Sequence, residues 1–136
     1  MATREDEADR WRAISRNSRK AAQHLLEVEC YRSSVSRAYY AAYAAITSEL
    51  IRGGITLGYG GGNPGHAGLP VYVLNNLTTL PMASRYEINK AIRRLYRARL
   101  EADYVATAAV DEASIKRATR DMGRVLQILG TDKGGV

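Results

Sequence analysis

Arg37 is the residue whose surroundings demand chemistry. It lies in Tyr31-Arg32-Ser33-Ser34-Val35-Ser36-Arg37-Ala38-Tyr39-Tyr40-Ala41-Ala42-Tyr43-Ala44-Ala45-Ile46, where two arginines are the only charged residues and Arg37 stands among small and aromatic side chains. Withdrawing an unpaired guanidinium from water is costly, so Arg37 requires a carboxylate partner, a water-filled cleft or an anionic ligand such as phosphate. A second arginine, Arg99, falls on the apolar stripe of Ile88, Ile92, Leu95, Ala102 and Ala106 and is expected to face inward, with Asp103 one turn later as its partner. Two accounts of Arg37, Arg99, Asp103 and Tyr104 stay open. They form a buried polar network that locks the central helices, or a cleft that holds phosphate, and an arginine oriented by Asp103 serves either.

A second set of basic residues, Lys90, Arg93, Arg94 and Arg97, clusters on the outer side of one helix against a single nearby acid, Glu87. Such a stripe can meet RNA phosphates, with exposed tyrosines to stack bases, or can simply be a solvated basic face. Metal chemistry is disfavoured, because two histidines and one cysteine are too scattered for a ligand set, and no cofactor is called for.

Helical periodicity accounts for the elements that must carry these groups. A first amphipathic helix spans about Glu7 to Glu29, with Trp11, Ile14, Ser18, Ala21, Leu25 and Val28 on its apolar stripe and His24 toward solvent. A second, from Ser33 to Arg52, is rich in alanine and tyrosine all round and should be the most enclosed. Residues 53–65 form a glycine-rich loop with no Gly-Lys-Ser/Thr ending and no preceding strand pattern, so a phosphate-binding P-loop is rejected. His66 to Leu80 reads as a short apolar helix closed by Pro81. A fourth helix over Arg85–Ala106 opens with a Ser84–Glu87 capping box, and a fifth runs from Asp111 to Gly130, with Ile115, Ala118, Met122, Val125, Leu126 and Leu129 on its apolar face. The expectation is an all-α, up-and-down bundle of four to five helices in a single domain over residues 1–136, with a frayed tail at 131–136.

A chain of 136 residues and 15.0 kDa is long enough for one modest core and too short for two ordinary domains. With 46% hydrophobic and 25% charged residues it lies outside the range of disordered chains. The formal charge of +6, carried mostly by arginine, favours an anionic partner. Cys30 has no partner for an internal disulfide and is expected as a half-buried thiol near a helix junction. No segment is apolar enough to cross a bilayer, and the polar start is unlike a secretory signal, so the expected location is the cytoplasm.

The octapeptide Ser36-Arg37-Ala38-Tyr39-Tyr40-Ala41-Ala42-Tyr43 resembles the Arg-Ala-Tyr-Tyr-Ala signature of small HEPN-domain proteins. Leu95-Tyr96-Arg97-Ala98-Arg99-Leu100-Glu101-Ala102-Asp103-Tyr104 is similar to their later Tyr-x-x-Arg-x-x-Ala-Asp-Tyr signature, and Gly65-His66-Ala67-Gly68-Leu69 resembles their histidine-containing turn. The resemblance implies a compact helical bundle, often dimeric, of the kind found in toxin–antitoxin and defence systems, whose active members are metal-independent ribonucleases. Their catalytic arginine, matched by Arg37, is followed after a short spacing by histidine; here Ala42, Tyr43 and Ala44 stand instead. Attack by a ribose 2′-hydroxyl needs a base working near neutral pH, and a phenol of pKa ~10 is a poor one. Tyr43 can donate a hydrogen bond to phosphate but is a poor base, and His66 either caps or packs at the start of its helix or, brought near Arg37 from another helix or subunit, replaces the missing base. The expected function is RNA binding, or binding of a nucleotide-bearing partner, by a homodimer with a degenerate motif. The alternative is an endoribonuclease using Arg37 with a substitute base. A nucleotidyltransferase or another toxin–antitoxin partner, which in some relatives modifies a tyrosine near the motif, is a further implied partner, with Tyr43 the nearest local target.

Overall fold

The computed structural model describes residues 3–57 and 65–130. Among them the chain forms five helices: α1 (Arg4–Glu27), α2 (Tyr31–Arg52), α3 (Leu69–Asn76), α4 (Met82–Tyr104) and α5 (Glu112–Leu129). The expected all-α bundle is present. The middle of the glycine-rich loop, 58–64, and the tail, 131–136, lie outside the described residues.

α1 and α2 form an antiparallel pair joined by the turn at Val28–Cys30, in which Glu29 takes a positive φ of 62°. Three serines join them. Ser48 Oγ donates to the Ala8 carbonyl, Ser15 Oγ to that of Ala41, and Ser34 Oγ to that of Ala22, each at 2.7 Å. The pairs recur every seventh residue on both helices, and each sets one serine against one alanine. A seven-residue repeat keeps the same stripe of each helix facing the other. A serine hydroxyl sits one bond beyond Cβ, so bonding the opposite backbone requires the two helices to lie very close, which only such small residues permit.

This seam corrects the expected inner face of α1. Ser18 of the expected stripe is buried, but so are Ala8, Ser15 and Ala22, which were not assigned to it, whereas Ile14 and Val28, which were, are 46% and 53% exposed. Small residues were outranked by large apolar ones a turn away, although close approach favours the small. Cys30, expected half-buried, is exposed in the turn.

Helix ends explain the other differences. A Thr3–Asp6 capping box starts α1 earlier than expected. α4 begins directly after Pro81, so Ser84 is already inside the helix and the expected Ser84–Glu87 cap does not form. His66 and Ala67 lie in the turn before α3, whose first residues are Leu69 and Pro70. α5 matches its expected limits, opened by Asp111 with Ser114 and closed by Gly130 at φ 73°.

α4 runs antiparallel to α2, since Arg32 meets Ala102 while Tyr39 meets Tyr96, and to α5, since Arg94 meets Asp121 while Glu87 meets Arg124. α3 packs on α4, tied by Asn89 Nδ2 donating to the Pro70 carbonyl. The C-terminal end of α4 is closed by a side chain from α2. Arg32 Nη1 donates to the carbonyls of Glu101, Ala102 and Val105, and Nη2 to those of Ala106 and Ala108. One guanidinium thereby gives partners to the Ala102, Ala106 and Ala108 carbonyls at and just beyond the helix end, shares those of Glu101 and Val105 with backbone N–H groups, and opposes the negative end of the helix dipole. Of the two arginines in the small-residue run, Arg32 is architectural.

The α1–α2 seam leaves no room for a larger side chain at Ala41, which is fully buried. Ala41→Leu is expected to lower unfolding free energy by about 1–3 kcal/mol in urea denaturation, and Ser15→Ala by about 1 kcal/mol. A wild-type midpoint for Ala41→Leu would refute the close-packed seam.

Candidate functional site

With α1 closed against one side of α2, Tyr39, Tyr40 and Tyr43 meet His66 in the turn before α3, Tyr39 and Tyr40 also meet α4, and Tyr43 also meets Trp11 of α1. Tyr39 is fully buried, Tyr43 is 6% exposed and Tyr40 is half-buried. Tyr40 is the hub: the Cζ atoms of Arg37 and Arg99 lie 5.3 and 5.4 Å from the centre of its ring. Both distances suit cation–π attraction.

The two arginines differ in everything else. Arg99 is 12% exposed at its side chain, and its Nε donates to Asp103 Oδ2 at 3.0 Å. Its Nη2 donates to the Tyr40 hydroxyl at 3.0 Å and, at 3.4 Å, to that of Tyr104. Ser36 Oγ donates to the same Asp103 oxygen at 3.1 Å. Arg37 is exposed and, among the described residues, makes neither an ion pair nor a hydrogen bond. The expectation of a buried Arg37 is corrected on this point. Its neighbours in sequence are buried, but its own position on α2 faces solvent.

The polar network expected of Arg37, Arg99, Asp103 and Tyr104 exists in altered form. Arg99, Asp103, Ser36, Tyr40 and Tyr104 are joined by hydrogen bonds; Arg37 joins only through the Tyr40 ring. It is also a surface network at its outer edge, since Asp103 is exposed and Tyr104 is 70% exposed. Ser36 and Tyr40 were not singled out from the sequence. The spacing of Tyr40, three residues after Arg37 and one turn from Ser36, was the available signal.

His66 enters the same group from the turn before α3. Its ring centre lies 5.0 Å from that of Tyr43, 6.0 Å from that of Tyr40 and 5.6 Å from that of Tyr39, and its plane is within 10° of the Tyr96 ring. His66 Nδ1 is 2.6 Å from the Tyr39 hydroxyl. Burial, and then the positive charge of Arg99, hold the imidazole below its ordinary pKa of 6.5. Burial pushes the Tyr43 phenol up, against the opposite pull of a backbone hydrogen bond from Gly65, so Tyr43 keeps its proton near neutral pH even more firmly than a free phenol and has less phenolate to act as a base. Tyr39 and Tyr96, the residues that hold His66, were also missed.

The outer stripe of α4 divides. Lys90, Arg93 and Arg97 are exposed and carry no ion pair among the described residues, while Arg94 makes a two-pronged pair with Asp121, at 2.8 and 3.0 Å. Asp121 neutralises the Arg94 charge on that face. No group of three or more metal-ligating side chains occurs among the described residues, and no helix among them is long and apolar enough to cross a membrane.

A family model described as HEPN domain matches residues 8–132. The chain belongs to the HEPN family. No curated protein and no solved structure matches it. In this HEPN chain, Ala42, Tyr43 and Ala44, which stand where the motif histidine would fall, are buried in α2. An imidazole nevertheless reaches that neighbourhood, because His66 packs against Tyr43 from a segment distant in sequence.

The depressed His66 pKa has a consequence for stability. Between the folded value and 6.5 the unfolded chain binds a proton at this position that the folded chain does not, so stability falls as pH drops below about 6.5. Urea unfolding between pH 8 and pH 5 should show a shallower decline for His66→Gln than for wild type. Identical pH slopes would refute the depressed pKa.

Proposed function

We propose that this HEPN protein binds RNA, as a homodimer in the cytoplasm, through Arg37 and the unpaired basic residues of α4. A toxin–antitoxin or defence setting, with a nucleotidyltransferase or other nucleotide-bearing partner, is the context proposed for it. The observation that carries the reading is the contrast across the Tyr40 ring. Arg99 has its charge matched by Asp103, whereas Arg37 rests on the same ring, exposed and without a carboxylate. A guanidinium held in place by an aromatic face, with its N–H groups free, is suited to a phosphate. Lys90, Arg93 and Arg97, at three- and four-residue spacing on one face of α4, extend the positive surface.

A second reading, a metal-independent endoribonuclease, is favoured by one observation: His66 packs on Tyr43 and Tyr40, beside the ring that carries Arg37. An imidazole neutral at pH 7 has the basicity to take a 2′-hydroxyl proton, with Arg37 at the phosphate.

One preparation tests both. In anisotropy titrations with a single-stranded RNA over a salt series, Arg37→Ala is expected to bind about tenfold more weakly, with a salt slope smaller by roughly 0.7. Lys116→Gln, on α5 beside Glu112, should bind as wild type does. Wild-type affinity and slope for Arg37→Ala would sink the binding reading. Cleavage of the RNA in chelator, lost in both Arg37→Ala and His66→Gln, would replace it with the enzyme.

A further inference from the structure

Between α4 and the turn leading into α3 lies a cavity of about 300 Å³, at the lower end of the range for small-molecule sites. Pro70 and Ile92 give it apolar wall, His66 and Tyr96 line it with their nearly parallel rings, and Arg93 and Arg97 supply its charge. No carboxylate lines it. Three features of these side chains belong together.

Arg93 and Arg97 stand four residues apart on α4, so two like charges share one helix face, an arrangement that destabilises an isolated helix. Glu101 is one turn beyond Arg97 and Asp121 is nearby on α5, yet neither forms an ion pair with Arg97 or Arg93. The neighbouring Arg94 is matched by Asp121, and Arg85, on the same helix, is held by the carbonyls of Leu74 and Leu80. The two arginines at the cavity are thus left with their donors unused, on a helix that elsewhere uses them.

The proton of His66 can be placed. Tyr39 is fully buried, and burial pushes its phenol far above the ordinary range, so the hydroxyl keeps its proton. Among the described residues its one hydrogen-bond partner is His66 Nδ1. Were Nδ1 protonated, the buried hydroxyl hydrogen would have no acceptor. Tyr39 therefore donates, Nδ1 accepts, and neutral His66 carries its hydrogen on Nε2, the nitrogen left for the cavity.

We propose that this cavity binds a phosphate monoester, gripped by the guanidinium groups of Arg93 and Arg97 and by the Nε2–H of His66, with the organic group of the ester against Tyr96, Pro70 and Ile92. Tyr39 is the positioning residue, because its hydroxyl dictates which imidazole nitrogen donates. The terminal phosphate of an RNA strand and a free phosphorylated metabolite carry the same group. The pocket deepens the RNA reading by assigning it a strand end, and rests on that reading only for the source of the phosphate.

The test uses the full chain labelled with ¹⁵N and four probes: inorganic phosphate, a nucleoside monophosphate, and one short RNA with either a 5′-phosphate or a 5′-hydroxyl. The imidazole spectrum at pH 7.5 should show His66 with Nε2 protonated and Nδ1 bare, and the Nε2 signal should move on addition of the monophosphate. Tyr39→Phe should shift that tautomer balance. Arg93→Gln and Arg97→Gln, both at exposed positions, should each weaken monophosphate binding by about tenfold or more while the folded spectrum persists. Preference for the 5′-phosphorylated over the 5′-hydroxyl RNA would support the pocket and identify strand ends as the source. Binding of the monophosphate without that preference would support it with a free metabolite as the source. Equal monophosphate affinity in wild type and both arginine variants, or a proton on Nδ1, would overturn it. Normal RNA binding by Arg37→Ala alongside a responsive pocket would remove the RNA reading and leave the pocket standing.

Discussion

The serine–alanine seam between α1 and α2 is the constraint from which the rest follows. Three hydroxyls bonded to opposite carbonyls at a seven-residue repeat fix both the separation and the register of the two helices. Each such bond contributes about 1 kcal/mol net, but its geometric effect is larger than its energy. With α1 held that close, the seam positions of α2 admit only alanine and serine, and its large residues lie beside or opposite the seam, where Tyr43 meets Trp11 and Arg52 meets Glu5 and Asp9 at its border. Tyr39, Tyr40 and Tyr43 gather around His66, with Tyr39 and Tyr40 also meeting α4 and Tyr43 bordering Trp11 of α1. The aromatic cluster that carries the candidate site is the complement of a seam made from the smallest side chains available.

The charge of the chain becomes interpretable once its arginines on α2 and α4 are sorted by partner. Arg32 and Arg85 are consumed by backbone carbonyls, and Arg52, Arg94 and Arg99 by carboxylates. Arg37, Arg93 and Arg97 remain. Net charge alone says only that anions are attracted. The distribution says more, because the unmatched guanidinium groups on these helices lie beside the tyrosine–histidine cluster, where bases or an ester's organic group can also be accommodated.

Helix number and the all-α class were legible from periodicity because large apolar residues dominate the faces of α4 and α5. The inner face of α1 was not, since hydrophobic scale rewards Ile14 and Val28 over Ala8 and Ser15, and the gain from close backbone approach appears in no single residue. Arg37 and Arg99 were both recognisable as unusual, yet their burial could not be ordered, because one residue's rotation about a helix separates a solvent-facing guanidinium from an inward one. The Arg99–Asp103 pair was readable because four-residue spacing encodes it directly. His66 beside Tyr39 was beyond reach for the opposite reason. The residues are 27 apart across a glycine-rich loop, and nothing local specifies where such a loop delivers its end.

That contact also separates the two functional readings by chemistry. A general base must present a lone pair to the hydroxyl it deprotonates, and the nitrogen of His66 with the lone pair is Nδ1, already taken by the Tyr39 hydroxyl. For His66 to act as base through Nε2, the ring must move its proton to Nδ1, which leaves the buried Tyr39 hydroxyl hydrogen without an acceptor and costs about 1–3 kcal/mol. A donor role needs no such rearrangement. The neutral ring, held below its ordinary pKa among Tyr39, Tyr40, Tyr43 and Tyr96 and near Arg99, is already in the form that gives a hydrogen bond to an oxyanion. The same tyrosine that fixes the histidine in place thus weights the site toward holding a phosphate over breaking one.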